Sequence, residues 1–429
     1  MSKVALIRRI AIGLLAPLTL VGLFAGSAEA ASPLTLTDIY NPAKITRIDF
    51  NLPASSVTSL NTKETLETYV PGSVTLTSGT KTSGAQEIQV RLKGSTSLQK
   101  LDWTPSFKIK FKKGPTGLGY LGLRRMTLNA MTQDDSKLHE FGAYTLFNAM
   151  GVQASKTGWA RVYVNGIDKG LYINIETPDE TFMSRKFRDI TQHIYEGAGS
   201  DFWMGADYGD NKTGPFLVDY GWKVTPNKYD LNNLIAYTYL YDPATWYSGL
   251  NTVTDRTSLI KFFAVENFVG HWDGYSGPDK NNYFIRSNTQ GKFTFIPWGT
   301  DQTFGENRWS QQVGDTFDMP MLSAKSDQPW VQNLDRGKLY VQCINYKPCK
   351  TAYLQALKAV SAKAASIGLT TKFSNAAKVI APVLQSQYGQ NLSTMKYLDD
   401  IRTEQNRTIW YVGNRRTQVA DLLKQNGIK

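Results

Sequence analysis

Cysteine and histidine are nearly absent from this chain of 429 residues, which has two of the first and three of the second. His139, His193 and His271 are widely scattered, which argues against a zinc site built from soft ligands. Cys343 and Cys349 lie together in "CINYKPC"; in an oxidising compartment such a close pair closes a small loop as a disulfide. Long apolar runs are equally scarce. There is one, at the N-terminus, and no second run long enough to cross a bilayer. Internal repeats and low-complexity tracts are missing, which argues against solenoids and compositional tails. Acids are the minority charge, 36 against 48 bases, for a net charge of +12. A basic surface suits anionic envelope polymers, phosphorylated partners or nucleotides, and also simple solubility; charge alone does not choose, and nothing else in the sequence supports nucleic-acid binding.

What is present begins with that apolar run. Lys3, Arg8 and Arg9 precede "IAIGLLAPLTLVGLFAG", and Ala28-Glu29-Ala30 offers a small-x-small cleavage site. Residues 1–30 therefore read as a secretory signal peptide cut after Ala30. The run is short and contains Pro17, which favours cleavage over a lasting membrane anchor. The expected mature protein is secreted, periplasmic or part of the cell envelope. It keeps about 400 residues, enough for a large core in one bilobal domain or two smaller ones.

Up to about residue 125 the pattern is strand-like. "PSFKIKF" alternates, with Phe107, Ile109 and Phe111 on one face and Lys108 and Lys110 on the other. Gly94 to Ser97 make a polar turn. "DDSKLHEFGAYTLFNAMG" is expected to be a helix, with capping chemistry at Asp134, Asp135 and Ser136 and a stop at Gly151. Asn165-Gly166 marks a hairpin. Residues 197–256 are hard to read, with a helix expected near 230–241. "DRTSLIKFFAVENFVGHW" reads as a capped apolar helix, "NNYFIR" and "KFTFIPW" as a second hairpin, and the chain after the cysteines as helices. The fold class predicted is α+β: a strand-rich lobe over 31–180 and a mainly helical lobe over 181–429.

Functional side chains commonly sit where strands leave the core. Asp301 occupies such an exit in "FIPWGTDQTFG". Asp273 lies upstream in "GHWDGYSGPDKNNY", a loop closed by Asn281 and Asn282. A hairpin joins the two segments, so two carboxylates and amides converge, the oxygen ligands that Mg²⁺ or Mn²⁺ prefer. Loop acid, loop Asn, hairpin, strand-end acid, aromatic and Gly is the order in the catalytic half of a protein kinase. The spacing from Asp273 to the asparagines is longer than an ordinary kinase motif allows. A kinase also needs a strand lysine for nucleotide phosphates and a helix glutamate to hold it. Lys108 and Lys110 supply the first and Glu140 the second; Arg91 and Lys93, before the Gly94 turn, are placed to face phosphates. For a lone strand, the lysines would read as a solvated face. Glu176 falls where a hinge between lobes would begin.

The segments "VRLKGSTS", "SFKIKF", "LHEFGAYTLFNAMGVQAS", "RVYVNGIDKGLY", "NNYFIR" and "FIPWGTDQTFG", in one order from about residue 45 to the closing helix, resemble the CotH family, named for spore coat protein H. The resemblance implies a divergent kinase-like fold and a secreted atypical kinase that uses ATP with Mg²⁺ or Mn²⁺ to phosphorylate Ser/Thr of an exported protein. It makes Asp273 the catalytic-loop acid and Asp301 the metal-binding acid. Asn281 and Asn282 lie near the metal, and Lys108 or Lys110 is the phosphate-binding base. Asp279, in "GPDK", competes with Asp273, which is preferred because it follows His271-Trp272. The family commonly carries "PWDxD" where this chain has Pro297-Trp298-Gly299-Thr300-Asp301, so one acid is lost at Gly299. That loss motivates an alternative, a non-catalytic envelope or adhesion protein on a degenerate kinase scaffold. Trp203, Tyr208, Trp222, Tyr229 and Trp246 also suit a glycan-handling protein, although core and interlobe packing is the preferred reading of them.

Overall fold

A computed structural model describes residues 33–115, 117–305, 319–325 and 335–429. The expected leader and its cleavage site lie outside the described residues. Alternation in the first third of the chain builds a sheet that closes on itself. Its strands are β1 (Ile45–Asn51), β2 (Val70–Ser78), β3 (Lys81–Thr82), β4 (Gln86–Lys93), β5 (Ser106–Phe111), β6 (Arg125–Asn129), β7 (Thr157–Val164) and β8 (Ile167–Ile175). The order is β1-β7-β8-β6-β5-β4-β2-β3, and β1 pairs with β2 as well, so all but β3 form a closed barrel. Closure leaves those strands without a free edge. Ile48, Phe50, Val90, Leu92, Phe107 and Ile109 fill the interior. Their neighbours Arg91, Lys93, Lys108 and Lys110 must then point outward, because side chains alternate faces along a strand.

Short helices α1 (Leu36–Ile39) and α2 (Ala54–Ser59) flank β1. Helix α3 (His139–Ala149) follows the barrel's sixth strand. The expected capping chemistry is there: Asp134 accepts from the backbone N–H of Lys137 and of His139, both at 2.8 Å. Gly151, at φ +78°, takes the left-handed conformation expected at the stop. Asn165 and Gly166 turn the β7–β8 hairpin, both at positive φ.

After α4 (Glu180–Lys186) comes a second sheet of β9 (Thr191–Gly197), β10 (Phe216–Tyr220), β11 (Tyr283–Asn288) and β12 (Phe293–Pro297), in the order β10-β9-β11-β12. Helices α5 (Tyr229–Tyr237), α6 (Pro243–Gly249) and α7 (Arg256–Val269) lie between its strands in sequence. Asp255 caps α7, and Gly270 ends it at φ +71°. The chain closes with α8 (Lys338–Asn345), α9 (Lys347–Ser366), α10 (Leu369–Tyr388) and α11 (Leu392–Gln425). The architecture is thus α+β, strand-rich first and mainly helical last, and Pro33–Lys429 forms one compact unit. No helix among the described residues is long and apolar enough to cross a membrane.

Asn391 accepts from the backbone N–H of Thr394 and caps helix α11. One detail differs from the sequence reading. Among the aromatics assigned to packing, Trp246 is buried but Trp203, Tyr208 and Tyr229 are exposed, the first two on a loop and the third on the outer face of α5. The cysteines do pair: Cys343–Cys349 joins α8 to α9. Closing so short a loop restricts the unfolded chain, so Cys343→Ser/Cys349→Ser should lose about 2 kcal/mol in urea unfolding.

Candidate active site

Barrel register assembles the basic side of the site. Arg91 on β4 stands directly opposite Lys108 on β5, and Lys93 follows Arg91 on the same outward face. Like charges placed opposite each other are unfavourable unless an anion lies between or beside them. At the rim Arg91 is held by Glu67 at 2.5 Å. These cations line a cavity of about 370 Å³ together with Glu140, Asp273, Asn281, Asn282 and Asp301. The Gly94–Ser97 turn lines it too. Lys110 and Glu176 stay outside. Lys110 lies 3.7 Å over the Tyr69 ring, and Glu176 is buried against Arg185, at 2.6 Å, beside the start of α4.

The acidic side comes from three elements. Glu140, in the first turn of α3, accepts from Asn129 Nδ2 at 2.7 Å. Burial pushes its carboxyl well up and Asp301 adds to the push, while Lys93 opposes it. Lys93 itself is lowered by burial and supported by the charges of Glu140 and Asp301. Lys93, on β4, is thus the lysine whose charge Glu140 feels, and Lys108, on β5, lines the same cavity, whereas Lys110 does not. Asp301 is raised by burial, with Lys93 pulling the other way.

Asp273 belongs to the loop between α7 and β11. Its backbone carbonyl accepts from the N–H groups of Asn281 (3.0 Å) and Asn282 (2.8 Å), so the loop folds back on its own acid. Asn282 Nδ2 donates to Asp273 Oδ2. Asp273 is raised well above the carboxylate range, first by burial, then by the neighbouring Asp279 carboxyl and by Asp301. Among the described residues its Oδ1 is buried without a hydrogen-bond partner.

This donor set suits a divalent cation. It brings the Asp301 carboxyl and the side-chain amides of Asn281 and Asn282 to one cavity beside Asp273, and burial drives both acids toward protonation, which a cation beside them would reverse. No group of three or more His, Cys, Asp or Glu among the described residues is placed to hold a metal by itself. Magnesium commonly needs only one or two carboxylates when substrate phosphates complete its shell.

Gly299, where the resemblance leads one to expect an acid, adopts φ +54°. A Cβ there would stand 2.4 Å from Asn282 Cγ. The space an acid would need is filled by the amide that bonds Asp273. Gly299→Ala is expected to cost about 2 kcal/mol by thermal unfolding, from strain plus the clash. In an Asn282→Ala background the cost should fall to about 1 kcal/mol, the backbone part alone.

Several contributors escaped sequence reasoning. Glu196 on β9 and Asn129 on β6 also line the cavity; "HIYEG" alternates, so Glu196 was readable as facing away from Tyr195. His139 is a second case. Its Nδ1 bonds the Asp301 carbonyl at 2.8 Å and its Nε2 meets Thr408 of α11 at 2.9 Å, tying the strand exit to two helices. Phe304 packs between His139, Phe373 and Tyr411, which accounts for the aromatic behind the acid.

A family profile described as CotH kinase protein matches residues 90–419. Inner spore coat protein H of Bacillus subtilis is 25% identical over 206 residues, covering 47% of this chain and 55% of that protein. Invasin CotH2 of Rhizopus delemar is 25% identical over 217 residues, covering 47% of this chain and 35% of that protein. The chain therefore spans about half of the first relative's length and about a third of the second's. Among solved structures, the Helicobacter pylori proinflammatory kinase CtkA covers 83% of this chain and 98% of its own, at 10% identity and a TM-score of 0.32. HipA of the Shewanella oneidensis toxin–antitoxin system, solved with HipB and operator DNA, covers 77% and 68%, also at 10% and 0.32. Both likenesses are too distant to bear on function.

Proposed function

Because the chain belongs to the CotH kinase protein family, matched from residue 90 to 419, we propose that it is an exported phosphotransferase moving the γ-phosphate of ATP to Ser/Thr hydroxyls of an extracytoplasmic protein. The observation that carries the reading is the meeting of Lys93, Glu140, Asp273 and Asp301 around one cavity. In this reading the outward faces of 31–180 and the loops of 181–429 are the two lobes of a kinase. Lys93, Lys108 and Arg91 neutralise phosphate oxygens, and Glu140 holds Lys93 toward them. Asp273 orients the acceptor hydroxyl and takes its proton. Asp301, Asn281 and Asn282 hold Mg²⁺ or Mn²⁺, which when bound supplies positive charge to the transferring group. The names of the relatives, a spore coat protein and an invasin, support a place outside the cytoplasm or in a coat. An expected signal peptide agrees with that.

The test is transfer from γ-labelled ATP with Mg²⁺ or Mn²⁺ to several exported proteins, comparing wild type with Asp273→Asn. Transfer by wild type that falls about 10²–10³-fold in the variant supports the reading. Absence of both nucleotide binding and transfer in wild type, under either metal, favours the degenerate scaffold, for which the glycine at 299 is the motivating feature.

A further inference from the structure

A second cavity, of about 590 Å³, lies between the loops around Gln99–Thr104 and Ala130–Lys137 and the helices α10 and α11. Its chemistry is different. Trp103, Tyr388 and Tyr397 line it with Gln99, Gln387 and Lys137. The Trp103 ring is 70% exposed, yet its loop is not loose: Lys169 Nζ donates to the carbonyls of Leu101 (2.6 Å) and Trp103 (3.2 Å). Tyr388 and Tyr397 meet edge to face at 4.8 Å.

Lys137 is the telling residue. It is only 5% exposed, and its ammonium donates to one carbonyl, that of Met131 at 2.9 Å, and lies 5.8 Å from the centre of the Tyr397 ring. No carboxylate among the described residues pairs with it. An ammonium that lines a cavity with no carboxylate paired to it is placed to receive an anion from that cavity. The backbone here is also held in an unfavourable conformation: Met131 and Lys137, neither a glycine, sit at φ +53° and +65°. Strain of that kind persists where the surrounding structure demands it, often at binding sites.

We propose that this cavity binds a short acidic oligosaccharide, with a sugar carboxylate on Lys137 and pyranose rings against Trp103 and Tyr397. A pyranose presents an apolar C–H face to an aromatic ring and hydroxyls at its edge. One amide answers the edge: Gln99 spends its carbonyl on the N–H of Thr104 (3.3 Å), which leaves its NH₂ to donate. A volume of this size lies in the range of small-ligand pockets and accommodates more than one ring. The site does not depend on phosphotransfer. It gives a basic chain a point of attachment to an anionic polymer.

Calorimetric titration with trigalacturonate tests it, with a neutral trisaccharide and hexaglutamate as controls at fixed physiological salt. Saturable binding of trigalacturonate, with both controls inert, is expected. Trp103→Ala and Lys137→Met should each weaken it about tenfold or more. Should Lys137→Met not fold, as judged by circular dichroism, the solvent-exposed Trp103→Ala decides. Absence of trigalacturonate binding, equal binding of the neutral sugar, binding of hexaglutamate as well, or an unchanged affinity in Trp103→Ala would each overturn the proposal.

Discussion

Asp301→Asn should lower the proposed phosphate transfer about 10³-fold while making the protein harder to melt. The first effect follows from position. Asp301 stands at the exit of β12, lines the cavity with Asp273, and is the acid whose charge both Lys93 and Glu140 feel. Removing a group that places positive charge at the transferring phosphoryl typically costs two to three decades in kcat, about 3–4 kcal/mol. Asparagine keeps the shape, and the backbone carbonyl that receives His139 is untouched, so the scaffold should persist. The second effect has the opposite sign. Burial raises the Asp301 carboxyl in the folded protein. A raised acid adds stability below its unfolded value, near pH 4, and that stability is lost as pH rises through the folded value. The difference in melting temperature between Asp301→Asn and wild type should therefore be small near pH 4 and grow toward neutrality, in metal-free buffer. Transfer within about tenfold of wild type, or a variant that melts earlier at neutral pH, would remove Asp301 from this role.

Where side-chain periodicity and turn chemistry decide the structure, the sequence is readable. "PSFKIKF" shows which face of β5 is buried, Asn165-Gly166 places the hairpin, and Asp255 with Gly270 bounds α7. Pairings between distant strands are not readable in this way. The parallel contact of β1 with β7 and its antiparallel contact with β2 close the barrel, and no local signal announces either. The same limit applies to the site. That a strand lysine and Glu140 line one cavity was inferable from kinase logic, but choosing among Lys93, Lys108 and Lys110 needs the register that sets Arg91 against Lys108 and the packing that brings Lys93 and Lys108, but not Lys110, to the cavity. Gly299 is legible only as a missing acid. That its empty space is taken by Asn282 depends on a loop and a hairpin folding back together.

Glu266→Ala should destabilise the protein by about 3–5 kcal/mol, the largest stability loss expected from one substitution around the site. Glu266 is fully buried in α7 and is not itself among the residues that line the cavity. Its carboxylate accepts from the backbone N–H groups of Tyr275 (3.0 Å) and Ser276 (2.7 Å), and stands 3.5 Å from His271 Nδ1. Gly274 permits this approach, since a Cβ there would lie 2.3 Å from Glu266 Oε1. The helix thus holds the loop that presents Asp273 by its backbone. Arg336 secures the same stretch from the other side, donating to the Ser276 carbonyl at 2.6 Å. Alanine would remove one buried charge, which is favourable. It would also strand two buried N–H groups at about 1–3 kcal/mol each and leave a void, and those losses exceed the gain. Glutamine, which keeps one acceptor but turns an NH₂ toward a second donor, should fall between alanine and wild type. Urea unfolding of the three proteins checks the order. A loss below about 1 kcal/mol in Glu266→Ala would mean that the loop keeps its shape without this carboxylate, and that the position of Asp273 is set by Asn281, Asn282 and Arg336 alone.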